Sequence, residues 1–528
     1  MFRSDRREHR PAVRSLILLT VALLGTASCS FPSSGSDGGS TATPTALPSP
    51  GEVPSGVTDP ATDPQYSKFY DQKVNWSDCG DGFQCMKYEV PTDWDDPTGE
   101  KIHISVNKLP ASGDEPIGSM LVNPGGPGVS GLDYAKVARQ AFGESILRSY
   151  AVVGFDPRGI GESDPIKCYD NQQYDQYTSS ESTPDDQAEI DAAVAGSKDF
   201  AAACQANTNH DLLEHVDTLS TIKDMDVLRA LLGDQVLSYH GASYGTYLGA
   251  WYAETFPWRV GRMTLDGAID PSTTAEEYVA GQAEGFSRAL RAYVTDCQDG
   301  GDCPLRGSVD DGLNQLATLV DRADSSALDT GDPARPLTQA LMLTGIAQAL
   351  YAQQLWPMLT TGLTQAVSGD GSGLLTLADA YLERNDNGTY GQTLAANPAI
   401  FCLDVPETRT PDQIAEAAEK LNQQFPPLGG SIGWGGLGCS QWPYKAVMER
   451  KELHAKGAAP ILVLGTVDDP ATPYEWAKAL SSQLDSGHLL TWKGTVHTAY
   501  RQGSACVDEK VEDYMLTGAL PADGTTCK

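Results

Sequence analysis

A serine, an acid and a histidine in this chain stand where they could together perform acyl transfer. Ser243 lies in GASYG (241–245), a Gly-x-Ser-x-Gly pattern that follows the apolar run VLSYHG (236–241) and precedes TYLGAWYAETF, a predicted helix. A serine on a sharp strand-to-helix turn is exposed to substrate, and the helix N-terminus below it favours developing negative charge. Because the chain holds 53 glycines, the five letters can match by chance, and the flanks are what make Ser243 the predicted nucleophile.

A serine hydroxyl needs a general base to become a nucleophile, and that base needs an acid to orient it. After a serine on such a turn, the acid and then the histidine are expected on loops that follow late strands. His497 follows the apolar run HLLTWKG (488–494) and is the predicted base. His488 would lie at the wrong end of that strand, and His454 precedes APILVLG (459–465).

The acid is expected after APILVLG, where TVDDPATP (466–473) offers Asp468 and Asp469. The pattern alone does not choose between these two. Two backbone N–H groups must stabilise the oxyanion, and one is predicted to come from Tyr244, the residue after the nucleophile. The other is predicted at Gly126 in NPGGPGVSG (123–131), because a residue without a side chain leaves room for the substrate carbonyl.

These residues require a sheet that brings the ends of several strands together. Two short strands are predicted to pair antiparallel at an edge, FQCMKYEVP (83–91) and KIHISVNKLP (101–110). Six continuous apolar runs that end in Gly or Asp are typical of central parallel strands buried on both faces; they are SMLVNPGG (119–126), YAVVGFDPRG (150–159), VLSYHG (236–241), RMTLDG (262–267), APILVLG (459–465) and HLLTWKG (488–494). With helical segments between them, such as residues 217–233, the predicted fold class is a doubly wound α/β sheet.

The segments that interrupt the alternation of strands and helices predict the domain organisation. Residues 272–400 are mainly helical and are expected to form a lid over the ends of the sheet. The core is then divided into residues 65–271 and a C-terminal part, residues 401–528, which carries the acid and the histidine. No apolar run after the N-terminal one is long enough to span a bilayer.

The N-terminus predicts export. A basic stretch (1–14), an apolar run (15–25) and small residues form a signal peptide over residues 1–28. Cys29 after Ala27 and Ser28 is similar to a bacterial lipobox, although Thr26 stands where an aliphatic residue is usual, and predicts a lipid anchor. The alternative is ordinary cleavage after Ala27, which would release the protein. Residues 29–64 are rich in Ser, Gly, Thr and Pro and predict a flexible linker.

Cysteine content and charge restrict the partners. Apart from Cys29, ten cysteines remain, and their proximity in sequence predicts five disulfides: Cys79 with Cys85, Cys168 with Cys204, Cys297 with Cys303, Cys402 with Cys439, and Cys506 with Cys527. No Cys-x-x-Cys pair and no nearby histidine pair occurs, so no zinc site is expected. The net charge of −33 argues against nucleic-acid binding and favours solubility, with attraction of cationic peptides as a second interpretation.

The chain resembles the prolyl- and tripeptidyl-aminopeptidase branch of the α/β-hydrolases, and more closely the secreted actinobacterial tripeptidyl aminopeptidases and their lipoprotein relatives. The matching stretches run in family order over residues 75–528: NPGGPGVSG (123–131), GFDPRGIGES (154–163), GASYG (241–245), FCLDVP (401–406), GTVDDPATPYEWA (465–477) and GTVH (494–497). The resemblance implies Asp469 as the acid, because the family acid precedes x-x-Thr/Cys-Pro. Asn123 departs from the family pattern, where simpler members have His.

The resemblance implies an exported serine hydrolase that removes short fragments from peptide N-termini without a cofactor. The first alternative is a carboxylesterase acting on small or lipid esters, and the second is a non-catalytic envelope binding protein. An aminopeptidase needs an anion for the substrate ammonium, and we consider four acids for this role: Asp404, Glu276, Glu277 and Glu284. Asp156 and Arg158 are expected to form an ion pair that braces the 123–131 loop, and Thr472 is expected to position the loop of Asp469.

Overall fold

The computed structural model describes residues 40–528, so the predicted signal peptide and Cys29 lie outside the described residues. Within that part of the chain, ten strands form one sheet. They are β1 (Ser77–Gly80), β2 (Phe83–Pro91), β3 (Lys101–Leu109), β4 (Gly118–Asn123), β5 (Tyr150–Phe155), β6 (Leu237–Ala242), β7 (Val260–Asp266), β8 (Ile461–Thr466), β9 (Gly487–Trp492) and β10 (Thr526–Cys527).

The strand order is β1-β2-β3-β5-β4-β6-β7-β8-β9-β10, which places β6 near the centre. The three N-terminal strands pair antiparallel at one edge, and β3 pairs antiparallel with β5. From β5 through β10 every neighbouring pair is parallel. The six apolar runs of the sequence correspond to β4–β9, so the predicted doubly wound α/β sheet is confirmed. Parallel strands align their carboxyl ends, and a site assembled from those ends follows from this topology.

Helices cover both faces of the sheet and fill the long insertion. Those before the insertion are α1 (Ser67–Tyr70), α2 (Gly131–Lys136), α3 (Ala138–Ala141), α4 (Glu144–Ser149), α5 (Asn171–Thr178), α6 (Gln187–Asn207), α7 (His210–Glu214), α8 (Thr218–Leu231) and α9 (Tyr244–Thr255). Those of the insertion are α10 (Ala275–Asp299), α11 (Val309–Ser325), α12 (Gln339–Leu350), α13 (Trp356–Val367), α14 (Ser372–Tyr381), α15 (Thr393–Asp404), α16 (Pro411–Gln424), α17 (Leu428–Gly433) and α18 (Leu437–Ser440). The last two are α19 (Tyr474–Gln483) and α20 (Ala505–Thr517).

The helical insertion between β7 and β8 extends past the boundary that the sequence predicts for the lid. The boundary expected at residue 400 falls inside α15, and α16–α18 follow before the sheet resumes at β8. Helices α16 and α17 pack on α10, so they belong to the same helical layer. The lid has its own apolar core, in which Phe286, Leu316, Leu341 and Leu359 are buried. Residues 275–440 thus form a helical insertion between β7 and β8, and its helix α15 packs into the core of the sheet, where Ile400 and Leu403 are buried.

The end of the predicted linker lies against the core instead of extending freely. We call residues 40–64 the strap. The amide of Thr45 donates to Leu516 O (2.9 Å), and that of Gly51 donates to Trp258 O (2.9 Å). Arg262 donates from Nη2 to the carbonyl oxygens of Thr45 (3.0 Å) and Ala46 (2.9 Å). The composition correctly indicates that the strap has no core of its own, but it does not reveal that the body supplies partners for its backbone.

Five disulfides cross-link the described chain, and each joins two cysteines that are neighbours in the cysteine order: Cys79–Cys85, Cys168–Cys204, Cys297–Cys303, Cys402–Cys439 and Cys506–Cys527. The fourth connects α15 to α18 within the lid, and the fifth connects α20 to β10. Among residues 40–528, no helix combines the length and the apolar character needed to cross a membrane.

Candidate active site

Ser243 lies on a strained turn between β6 and α9. Its backbone has φ 55° and ψ −124°, a conformation that side-chain-bearing residues rarely adopt. The turn needs both flanking glycines, because a Cβ on Gly241 would overlap the carbonyl oxygen of Gly245, and a Cβ on Gly245 would lie 2.8 Å from Asn123 O. The amide of Ser243 donates to Asp266 O on the neighbouring strand (2.9 Å), which ties the turn to β7.

His497 and Asp469 form a hydrogen-bonded pair on the loops after β9 and β8. Nδ1 of His497 lies 2.9 Å from Asp469 Oδ1 and 3.1 Å from Oδ2, so Nδ1 is assigned as the donor. Asp469 is fully buried and also accepts from the amides of Ala471 and Thr472 (both 2.9 Å) and of Thr498 (3.0 Å). Of the two adjacent aspartates that the sequence leaves open, Asp469 is the one that contacts the histidine.

The helical insertion contacts the histidine through Tyr351. The amide of His497 donates to Tyr351 O (2.9 Å), and the two rings meet edge to face at 5.3 Å and 90°. Burial lowers the pKa of His497, but the carboxylates of Asp469 and Asp266 raise it by more than burial lowers it. The pKa of His497 therefore lies above its ordinary 6.5. The side chain of His497 keeps 12% exposure, so part of the imidazole is accessible to solvent.

The loop that should supply the second oxyanion donor, residues 123–131, lies against the serine. A Cβ on Gly125 would come within 2.7 Å of Ser243 Cβ and 3.0 Å of Tyr244 N, so only glycine fits there. Asn123 accepts from the amide of Gly125 through Oδ1 (2.9 Å), so the Gly125 amide is not free to bind a substrate oxygen. Within residues 40–528 the amide of Gly126 has no hydrogen-bond acceptor, so it is available for a substrate oxygen.

The expected ion pair between Asp156 and Arg158 is wrong. Arg158 forms a two-pronged pair with Asp224, from Nε (2.8 Å) and Nη2 (2.7 Å), deep under the sheet edge. Asp156 instead accepts from Ser130 Oγ (2.6 Å) and from the amide of Leu132 (3.2 Å), and so braces the 123–131 loop directly. The bracing role remains with the aspartate, and the arginine serves a different part of the core.

Comparison with known proteins agrees with this geometry. The family model described as "TAP-like protein" matches residues 425–527, the part that carries Asp469 and His497. "Serine protease Hip1" of Mycobacterium tuberculosis is 36% identical over 476 residues, covering 86% of this chain and 91% of the relative. The chain belongs to the tripeptidyl-aminopeptidase-like family of α/β-hydrolases.

Two further relatives show the range of names within this family. "Tripeptidyl aminopeptidase" of Streptomyces lividans is 30% identical over 479 residues, covering 86% of both chains. "Carboxylesterase B" of M. tuberculosis is 33% identical over 450 residues, covering 84% of this chain and 86% of the relative. The chain is thus a serine hydrolase, and its relatives include both peptidases and an esterase by name.

The four acids considered for the substrate ammonium have different surroundings. Asp404 is 2% exposed and accepts from the amide and hydroxyl of Thr218 (both 2.8 Å) and from Tyr244 OH (3.2 Å). Burial raises the pKa of Asp404 to about 7. Through its hydrogen bond from Tyr244 OH, Asp404 helps to hold the side chain of Tyr244. Because Asp404 is buried, a substrate ammonium group cannot reach it.

The three glutamates lie on the outer turns of α10. Glu277 accepts from Thr274 N and Oγ1 (both 2.9 Å) and caps the helix, and these hydrogen bonds lower the pKa of Glu277. Glu284 pairs with Arg288 (3.0 Å). The side chain of Glu276 is exposed and forms no ion pair or hydrogen bond within the described residues, although its charge raises the pKa of Arg409 and of Lys420; it has the fewest direct contacts of the four.

Sequence reasoning missed two residues that the structure places at the site. Tyr351 could not be found, because nothing in the sequence links the end of a lid helix to the histidine. Asp266 could have been found from the sequence, because it is the acid near the end of the apolar run RMTLDG. An acid at the carboxyl end of a core parallel strand is a candidate for the site, since sites form at those strand ends. Thr472 lies where expected, with its amide on Asp469 and its Oγ1 3.3 Å from His497 Nδ1.

Proposed function

We propose that the protein is an aminopeptidase that releases short, tripeptide-type fragments from peptide N-termini, with Ser243, His497 and Asp469 as its catalytic triad. The observation that carries this proposal is the hydrogen-bonded His497–Asp469 pair, in which the loop of the histidine is tied through Asp266 to the strand-to-helix turn that holds Ser243 at positive φ. Strain at a buried strand end is retained where it serves a reaction. The family supplies the reaction class, acyl transfer to serine.

The chemistry follows from these positions. Ser243 Oγ attacks the substrate carbonyl carbon while His497 Nε2 takes the hydroxyl proton. The amides of Gly126 and Tyr244 stabilise the negative charge that develops on the carbonyl oxygen. Protonated His497 then gives the proton to the leaving amine, and the C–N bond breaks to form an ester with Ser243. Water, deprotonated by His497, hydrolyses that ester and restores the serine.

Peptide release from a free N-terminus is supported by the relative named tripeptidyl aminopeptidase and by the lid. A helical layer over the strand ends restricts entry to short or unfolded chains. Among the acids that the sequence suggests for the ammonium, we favour Glu276, since Asp404 is buried and Glu277 and Glu284 are engaged in the helix.

Ester hydrolysis is the second candidate, and the relative named carboxylesterase B favours it. The same triad cleaves esters and amides, because both reactions pass through a tetrahedral oxyanion and a serine ester. The two functions therefore differ in the substrate pocket and in the requirement for a free amine.

The test combines a covalent probe with three matched substrates. A fluorophosphonate labels an activated serine whatever its natural substrate, and we expect Ser243→Ala to abolish labelling. Ser238→Ala, a serine on the same strand but away from its carboxyl end, is the matched control and should label like the wild type. The substrates are a tripeptide amide, its N-acetylated form and a short-chain ester.

Cleavage of the free tripeptide at a rate at least tenfold above the acetylated form supports the aminopeptidase. Equal rates for the two peptides contradict it, and cleavage of the ester alone assigns the esterase function. Labelling that survives in Ser243→Ala would place the nucleophile elsewhere and overturn the proposed triad.

Export and lipid anchoring through Cys29 are part of the proposal. They rest on the basic, apolar and small-residue regions before Cys29. Mass spectrometry of the mature N-terminus should find an acylated Cys29, and a peptide that begins at Ser28 without lipid would instead indicate cleavage after Ala27 and release.

A further inference from the structure

Asp266 is the last residue of β7, between the strand that leads to Ser243 and the strand that leads to Asp469. It pairs with Ala242 of β6 on one side and with Leu464 of β8 on the other. Its carbonyl oxygen accepts from the amide of Ser243 (2.9 Å). The backbone of Asp266 therefore holds the nucleophile turn.

The side chain of Asp266 holds a different part of the site. Its Oδ1 accepts from the amide of Ala499 (2.8 Å), and its Oδ2 accepts from the amide of Tyr500 (2.9 Å). These residues belong to the histidine loop, residues 496–501, which contains the proposed base. One residue thus joins the turn of the nucleophile to the loop of the base.

The histidine loop depends on such anchors because it has no regular secondary structure. Its five consecutive amides from 497 to 501 all donate to groups outside the loop. Tyr351 O receives the first, Asp469 the second, Asp266 the third and fourth, and Asp508 the fifth. Thr498 and Arg501 have positive φ, of 70° and 61°, so the loop is held in a backbone conformation that needs support.

The charge of Asp266 also reaches the imidazole. Burial raises the pKa of Asp266 to about 7, and the charge of Asp469 adds to this increase. The hydrogen bonds from the two amides and the charge of His497 act in the opposite direction and lower the pKa. The titratable groups around its carboxyl are His497 and Asp469, on the loops after β9 and β8, and Tyr134 on α2. In return, the carboxylate raises the pKa of His497, as a second anion near the ring.

The residue after Asp266 is a glycine that packs closely against the histidine and the acid loop. Gly267 has φ 67°, and a Cβ there would lie 3.0 Å from Thr472 Oγ1 and 3.4 Å from His497 Cε1. The end of β7 is therefore packed directly under the histidine and the acid loop.

We propose that Asp266 is a positioning residue that couples the nucleophile turn to the histidine loop and so fixes the distance between Ser243 and His497. The inference rests on the proposed triad and deepens it. The carboxylate does not touch substrate, and it acts through the backbone of residues 499 and 500.

Asp266→Asn tests the coupling at constant size. The amide side chain keeps one acceptor oxygen but turns an NH₂ group toward the second backbone N–H, so the loop must shift. We expect kcat and the rate of fluorophosphonate labelling to fall together by about 10- to 100-fold, because small displacements of a catalytic group have effects of this size. KM should stay within about threefold of the wild type, since no substrate contact is lost.

The pH profile gives the readout that a merely structural role would not move. Loss of the Asp266 charge should move the acidic limb of kcat/KM to lower pH, because this carboxylate raises the pKa of His497. The matched control is Asp226→Asn, a buried carboxylate on α8 that accepts from Tyr70 OH (3.1 Å), Tyr252 OH (2.8 Å) and Arg229 Nε (2.7 Å). It should lower the melting temperature while leaving kcat and the acidic limb of the folded enzyme unchanged.

Folded Asp266→Asn with wild-type kcat, labelling rate and acidic limb would overturn the positioning role and leave the triad intact. A wild type that does not label would overturn the nucleophile and the role of Asp266 with it. If Asp266→Asn does not fold, hydrogen exchange of the wild type decides. The amides of Ala499 and Tyr500 should be protected at pH 8 like those of β8, and exchange at the rate of an open loop would contradict the two hydrogen bonds.

Discussion

At the scale of single residues, the site is a set of carboxylates placed around one imidazole. Asp469 contacts His497 directly, and Asp266 lies behind the histidine loop. Asp469, together with Asp266 when that carboxyl group is ionised, stabilises the imidazolium form that appears when His497 takes the serine proton. This arrangement favours proton transfer to the base, and it also requires a higher pH to keep the base neutral in the resting enzyme.

A pH dependence follows from this requirement. The pKa of His497 lies above 6.5 in the folded protein, because the carboxylates outweigh the effect of burial. His497 accepts a proton only when neutral, so kcat/KM should fall as the pH drops through a value above 6.5. The measurement is kcat/KM for an uncharged ester between pH 5 and 9. An acidic limb below pH 6 would contradict this prediction.

Asp469→Asn serves as the control for that profile. It should lower kcat by about 10,000-fold, the size known for loss of the orienting acid in a serine triad. Its residual activity should show an acidic limb at lower pH than the wild type, because the larger of the two stabilising charges is gone.

At the scale of elements, the helical insertion that we expect to act as a lid contacts the base directly. Tyr351 follows α12, and both its carbonyl oxygen and its ring meet His497. Movement of that end of the lid would therefore disturb the histidine. The lid is stabilised for this task by its own apolar core and by two of the five disulfides, Cys297–Cys303 and Cys402–Cys439.

Removal of the ring in Tyr351→Ala separates the two contacts, because the backbone acceptor remains. An edge-to-face aromatic contact contributes about 0.5–1.5 kcal/mol, so kcat and the labelling rate should fall about 2- to 10-fold. Tyr351→Phe keeps the ring and should retain wild-type rates. Rates in Tyr351→Ala equal to those of the wild type would show that the ring does not help to hold His497.

The sequence predicts the elements that follow local rules and misses those that depend on contacts between distant segments. Strands β4–β9 are continuous apolar runs, and the turn at Ser243 has its glycines, so both are predicted from the chain alone. The partner of Arg158 is 66 residues away, and the extent of the lid depends on how α16 and α17 pack on α10. Such contacts are decided by tertiary packing, which a local pattern does not encode.

At the scale of the whole molecule, the middle of the strap lies at the opposite end of β7 from the site, whereas its first residue, Ser40, donates to Glu512 (3.0 Å), which also accepts from Tyr500 OH of the histidine loop (3.2 Å). The strap contacts Trp258 and Arg262, at the start of β7, whereas Asp266 at its end belongs to the site. If Cys29 carries the lipid, the eleven peptide steps from Cys29 to Ser40 span at most about 40 Å. The bound strap would then keep the body close to the membrane.

This arrangement predicts that the strap contributes to stability and leaves catalysis unchanged. A chain that begins at residue 65 loses the backbone acceptors of Arg262 in Thr45 and Ala46 and the ion pair between Asp59 and Arg259. Arg262 is 3% exposed with the strap bound, and the loss of its charge-assisted hydrogen bonds to the strap should lower the free energy of unfolding by about 2–5 kcal/mol. A chain that begins at residue 40 keeps every one of these contacts and is the matched control.

The two chains should differ in thermal melting and agree within about twofold in kcat and KM for the ester, since the contacts with Arg259 and Arg262 lie near the start of β7 and only Ser40, through Glu512, approaches the Tyr500 side chain. Equal melting temperatures would mean that the strap is not bound in solution, and the tether would then be the full length from Cys29 to the core. A loss of kcat at unchanged stability would instead place a function of the strap at the active site, against the geometry of β7.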